Sequence, residues 1–227
     1  MSEGAGERRR PPARSLPEAL VRTLRHEIGD FLQKVYASVA VLQSRLPPEA
    51  DLEREILTRL HKGAESCKHL LDAIQDFLGT MILSRQTVDL GDVTWELVVA
   101  AQARFPQRKI TAETVGPVHV AADPQRMKQV GQALLVNACE AAQRDVRFLT
   151  RISGDEAEWI VRDDGPGISS VGDRLFVPFV TMQAGHLGLG LALAQRIVRL
   201  HEGEINIADR PEGGCEVCVR LPLKPSG

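Results

Sequence analysis

Aromatic side chains are scarce in this sequence, at 4% of 227 residues, and the formal net charge is only −2. Base stacking needs aromatics and phosphate-backbone binding needs excess cations, so nucleic acid is not an expected partner. No apolar run approaches the ~20 residues of a membrane span. The opening MSEGAGERRRPPARS lacks the apolar stretch of a signal peptide, and residues 1–15 read as a disordered, solvated tail. Cysteines are few and scattered, at Cys67, Cys139, Cys215 and Cys218. The last two have CxxC-like spacing, but no second pair completes a zinc site. All four read as reduced, buried thiols of a cytoplasmic protein. What remains is 43% hydrophobic and 26% charged, the balance of a globular chain long enough for one large or two small domains.

The first part is helical. Leu20, Leu24, Ile28, Phe31, Val35, Val39, Leu42 and Leu46 recur at steps of three and four, one apolar stripe on a long helix. Pro47 and Pro48 end it, because proline lacks the amide donor and disfavours helix in the residue before it. Leu52, Ile56, Leu60, Ala64, Cys67, Leu71, Ile74 and Leu78 repeat the pattern. Residues 16–85 therefore read as an antiparallel helical hairpin. A lone hairpin leaves apolar surface uncovered, and pairing two copies into a four-helix bundle covers it, so a homodimer is expected.

The texture changes near residue 86. Strand-like runs at 87–90, 118–121, 146–152, 158–161, 204–207 and 216–221 are interleaved with helical patterns at 93–104, 124–143 and 189–201. Strict βαβ alternation is missing, so the expectation for 86–227 is an α+β domain: a mixed sheet with helices on one face, as a two-layer sandwich.

Several residues stand out against these patterns. His26 lies two residues after Leu24, about 200° around the helix, and so points away from the apolar stripe. Asp30 and Gln33 share this outer face at +4 and +7, and what sets His26 apart is its neighbour Glu27. A neutral imidazole is a nucleophile, and a carboxylate can orient or accept its other proton. His61 and His69 have no similar setting and read as structural or solvated. Asn137 is an amide inside an apolar helix; it is either paired to backbone or an oxygen ligand for Mg²⁺. The stretch WIVRDDGPGI, 159–168, taken alone is a strand running into a turn. Gly188 and Gly190 open a helix, where bare backbone amides meet phosphate or where small residues simply pack.

Together these stretches resemble the core of a sensor histidine kinase from residue 20 to 221: a dimerisation and phosphotransfer hairpin, then a GHKL-type ATP-binding domain. RHEIGDFL, 25–32, is similar to the family's H box, which makes His26 the phosphorylated residue and Glu27 its base. Asn137 falls on the Mg²⁺ ligand of the N box. DDGPGI, 163–168, resembles the G1 box; the resemblance gives Asp163 the adenine amino group, with Gly165 and Gly167 shaping the loop. FVPFVT, 176–181, resembles the F box, placing Phe179 and Thr181 at the nucleotide, and Gly188, Leu189 and Gly190 begin the G2 box. Residues 178–191 read as the short ATP lid of nitrogen-regulation-type kinases.

There are departures. The Asn that usually precedes the metal ligand by one turn is Ala133, where hydrolytic relatives and anti-sigma serine kinases carry a carboxylate. The lid lysine is Gln183, and the Gly-Thr before the last glycines is His186-Leu187. The Asn or Thr that serves phosphatase activity four residues after the histidine is Asp30. The resemblance implies autophosphorylation of His26 from MgATP and transfer to an Asp of a response regulator receiver domain; input is expected from a separate sensor protein or from the 15-residue tail, or is absent. The alternative is a phosphotransfer relay with a degenerate ATP domain.

Overall fold

The computed structural model describes residues 16–47, 49–79, 81–168, 172–180 and 188–223. The tail 1–15, Thr181 and lid residues Gln183, His186 and Leu187 lie outside them. The chain divides into two compact units, Met1–Thr80 and Met81–Gly227. No helix among the described residues is long and apolar enough to cross a membrane.

The first unit is a helical hairpin of α1 (Leu16–Arg45) and α2 (Asp51–Leu78). The turn is tied by Arg54, whose guanidinium donates to the Pro47 carbonyl at 2.8 Å. Ala50 gives α2 no side-chain cap, and Asp51 and Glu53 in the first turn face the positive helix end instead. Tyr36 and His61 meet edge to face with centroids 5.0 Å apart, so His61 packs across the hairpin. The side chain of His69 lies outside the described residues.

The buried seam is narrower than the sequence stripe. Leu32, Val39, Leu57 and Ala64 are buried, in two heptad-spaced pairs. Of the expected stripe, Leu24, Phe31, Leu42, Leu52, Ile56 and Leu60 are exposed. An amphipathic helix carries an apolar arc wider than one partner helix can cover, so one edge of the arc meets the other helix and the rest stays open.

The second unit pairs β1 (Gln86–Asp89) with β3 (His119–Ala122) in a small antiparallel sheet. Five strands form the main sheet: β2 (Lys109–Thr114), β4 (Asp145–Ser153), β5 (Glu156–Asp163), β6 (Glu204–Asp209) and β7 (Cys215–Pro222). Their order is β2-β4-β5-β7-β6, parallel only between β2 and β4. Helices α3 (Leu90–Arg104), α4 (Pro124–Ala141) and α5 (Gly190–Leu200) pack on it. The core lies between: Phe148 and Trp159 stack at 4.9 Å beside Met127, Leu134 and Ile197. The other face carries charge; Glu158 is buried there between Arg151 at 2.7 Å and Arg220 at 3.2 Å. This is the expected two-layer α+β sandwich.

One boundary and one strand differ from the sequence reading. Leu90 begins α3 rather than ending β1, because the Asp89 carboxylate accepts the Gly91 amide at 2.8 Å and caps the helix. Strand β2 escaped notice because it is an edge strand in which Ile110 alone is buried. His201 pins α4 to α5. Its Nε2 accepts the Asp123 amide at 3.0 Å while Nδ1 faces the Ile197 carbonyl at 2.8 Å, which assigns the proton to Nδ1. Burial holds this imidazole below its ordinary pKa and so neutral.

Candidate functional site

Asp163 is the last residue of β5 and is buried. Antiparallel pairing sets Arg162 against Glu216, which brings Asp163 beside Cys215 at the start of β7. Its Oδ1 accepts two backbone amides, Gly165 at 2.8 Å and Cys215 at 3.3 Å. Those bonds fix the carboxylate plane and leave Oδ2 for a further donor. Burial is the largest influence on this group and pushes its pKa up, against the pull of the two amides.

The β6–β7 turn clamps this loop. Arg210 Nη1 donates to the Asp163 carbonyl at 2.8 Å, and Asp209 Oδ1 accepts the Ile168 amide at 2.5 Å. A Cβ on Gly214 would collide with the Asp163 backbone, and one on Gly167 with the Asp209 carboxylate. Both glycines have positive φ, of 83° and 81°. Asp164 turns the other way and accepts the Gln143 and Arg144 amides at 2.8 and 3.0 Å, tying the loop to the end of α4. Sequence reasoning missed Asp209, Arg210, Gly214 and Cys215. The RPEGG stretch signals a turn, but nothing local says which loop the turn will meet.

Asn137 is half-buried on α4. One turn before it, Ala133 faces Gly190, where an added Cβ would stand 3.8 Å from that of Ala133. One turn after it, the Ala141 carbonyl faces Gly165, where an added Cβ would come within 2.6 Å. Asn137 thus sits midway on a ridge running from the start of α5 to the Asp163 loop. Its side-chain amide has no hydrogen-bond partner among the described residues. A half-buried amide without a partner suits a ligand oxygen. Among the described residues no cluster of three or more acids, histidines or cysteines forms a metal cage. A cation here would be of the kind that takes one protein oxygen and completes its shell with phosphate and water, the habit of Mg²⁺.

Helix α5 opens at Gly190 with bare backbone amides and no side-chain cap. Leu189 is buried, so it offers a ligand only its backbone. Gly188 has φ of 65°, and a Cβ there would strike Val180. Phe179 also has φ of 65°, a conformation that costs a bulky residue about 1–3 kcal/mol. Its amide donates to the Gly188 carbonyl at 3.2 Å, so residues 179 and 188 stand together. The Phe179 side chain is exposed.

His26 stands on the surface of α1, with 77% of its side chain accessible. The carboxylate against it belongs to Asp30, whose Oδ2 is 3.2 Å from Nδ1. Glu27 is exposed on the next position of the helix and makes no ion pair with His26 among the described residues. Arg25 reaches across the hairpin to Asp72 at 3.4 Å.

A buried carboxylate with one free oxygen, an unpartnered amide and an uncapped helix start thus lie along one side of α4. Residues 122–225 match the family of histidine kinase-, DNA gyrase B-, and HSP90-like ATPases. The chain is 29% identical over 217 residues to the signal transduction histidine-protein kinase AtoS of Escherichia coli strain K12, covering 92% of this chain and 35% of AtoS. It is 30% identical over 207 residues to the sensor histidine kinase ZraS of Salmonella typhimurium, covering 87% of this chain and 44% of ZraS. Full-length ShkA, solved in complex with AMPPNP, shares the fold with a TM-score of 0.79 at 21% identity, over 92% of this chain and 47% of that one. The chain therefore spans less than half the length of these curated relatives. The second unit is an ATP-binding domain of the histidine kinase, gyrase B and HSP90 class. Over most of its length the chain is similar to curated sensor histidine kinases.

Proposed function

We propose that this chain is an ATP-dependent protein-histidine kinase that phosphorylates His26 and passes the phosphoryl group to an aspartate on a response regulator receiver domain. The observation that carries the reading is the α4 ridge, which puts Asn137 between the Asp163 loop and the start of α5, in one chain with a hairpin that presents an exposed imidazole. Asp163 Oδ2 accepts the adenine amino group, and the amides of Gly188, Leu189 and Gly190 meet the phosphates. Gly165 and Gly167 let the loop close against the base, and Phe179 and Thr181 border it. Asn137 would hold Mg²⁺ through its side-chain oxygen. Bound with the nucleotide, that cation offsets phosphate charge. Catalysis by the protein is then mostly positioning. A carboxylate on α1 serves the ring proton of His26; the resemblance assigns this to Glu27 and the distance to Asp30.

The open apolar arc on the hairpin, Leu24, Phe31, Leu42, Leu52, Ile56 and Leu60, fits a homodimer through a four-helix bundle. The reading places the protein in the cytoplasm, and the resemblance adds a short ATP lid. A labelled-transfer experiment tests the two steps together. Chain labelled from γ-labelled ATP should lose its label as an added receiver domain gains an acyl phosphate. A chain that takes no label from ATP but acquires it from a phosphorylated receiver is a relay instead.

A further inference from the structure

We propose that Asp30 is the positioning residue of the phosphoacceptor: its carboxylate holds the His26 proton on Nδ1 and so frees Nε2 to attack. The inference rests on the kinase reading above. Its observation is separate from the nucleotide pocket: Asp30 Oδ2 lies 3.2 Å from His26 Nδ1, one helical turn along α1. An unconstrained neutral imidazole keeps its proton mainly on Nε2, the nitrogen that then has no lone pair to give. An anion beside Nδ1 reverses that preference, since the proton sits on the nitrogen facing the acceptor. Glu27, about 100° further around the helix, makes no such pair with His26 among the described residues.

The chemistry balances without a further reactant. The Nε2 lone pair forms the bond to the γ-phosphorus, and the bond from that phosphorus to the β,γ-bridging oxygen breaks with its electrons leaving on ADP. The ring gains positive charge as this happens. The Asp30 carboxylate faces that charge from the Nδ1 side and takes the Nδ1 proton on to solvent. The imidazole edge carrying Nε2 stays open, because the His26 side chain is 77% accessible and the Asp30 carboxylate sits against the opposite nitrogen.

The test compares wild type, Asp30→Ala, Asp30→Asn and Glu27→Gln in the full chain, by initial rate of γ-phosphoryl incorporation and by ¹⁵N imidazole NMR of His26. Asp30→Ala should slow incorporation at saturating ATP by roughly 10–100-fold, the lower part of the range for acid–base assistance, with KM for ATP unchanged. Asp30→Asn keeps an oxygen acceptor for Nδ1–H and should recover about tenfold of that loss. Glu27→Gln should lose less than Asp30→Ala. The NMR spectrum should show the proton on Nδ1 in wild type and on Nε2 in Asp30→Ala. An Asp30→Ala rate equal to wild type, or one tautomer in both proteins, overturns the assignment. Wild type that takes no label from ATP refutes the kinase reading instead, while the tautomer comparison still decides the role of Asp30.

Discussion

Replacing Asp163 with alanine should weaken ATP binding by roughly 10–150-fold or more while the second unit stays folded. Oδ1 of this carboxylate is held by the Gly165 and Cys215 amides, so Oδ2 is the oxygen left to accept from the exocyclic amine of adenine. A hydrogen bond to a charged group contributes about 1.5–3 kcal/mol, or roughly 10–150-fold in affinity. Loss of the fixed loop geometry around it adds to this. Inosine triphosphate provides the control, because it carries an oxygen where adenine carries the amine. Wild type should prefer ATP over ITP strongly, and Asp163→Ala should bind the two equally weakly. Titration calorimetry with both nucleotides, with circular dichroism to verify the fold, measures it. An unchanged preference for ATP would remove Asp163 from base recognition.

The second large effect is on stability. Trp159→Ala should cost the second unit about 3–5 kcal/mol, the usual penalty for emptying a fully buried large side chain. Trp159 has no exposed surface, stacks on Phe148, and donates its indole N–H to Thr94 Oγ1 at 2.5 Å. Gly131 of α4 lies against the same ring, where even an added Cβ would come within 2.6 Å of it. The helices therefore have little freedom to collapse into the space. The midpoint of thermal unfolding of this unit should fall by on the order of 10 °C. Trp159→Phe keeps most of the ring volume and should lose less, about 1–3 kcal/mol, from the smaller ring and the lost indole bond, because the Thr94 hydroxyl keeps the Leu90 carbonyl and the Thr150 hydroxyl, each at 2.8 Å. Equal midpoints for wild type and Trp159→Ala would place the core elsewhere.

Much of this was legible in the sequence, for identifiable reasons. Helix periodicity marked the hairpin, and Pro47 marked its end, because both signals are local. The Asp163 loop and Gly188–Gly190 announced themselves through residue types that backbone geometry demands. The exposed part of the apolar arc was not legible, since one stripe cannot say which of its edges faces the sister helix. Strand β2 was missed because an edge strand with polar outward positions carries almost no burial pattern. The Asp209–Arg210 clamp was missed because two segments 41 residues apart meet there only through the order of the sheet. The Asp30 contact lay within reach of the i,i+4 rule, yet the family pattern drew attention to the acid next to the histidine instead.

The central claim is that a phosphoryl group moves from ATP to one imidazole. The most direct measurement is incubation of the purified chain and of His26→Ala with γ-labelled ATP and Mg²⁺, followed by acid and base treatment. The account predicts acid-labile, base-stable label on wild type and none on His26→Ala. Equal label on both proteins, or none on wild type, would contradict it.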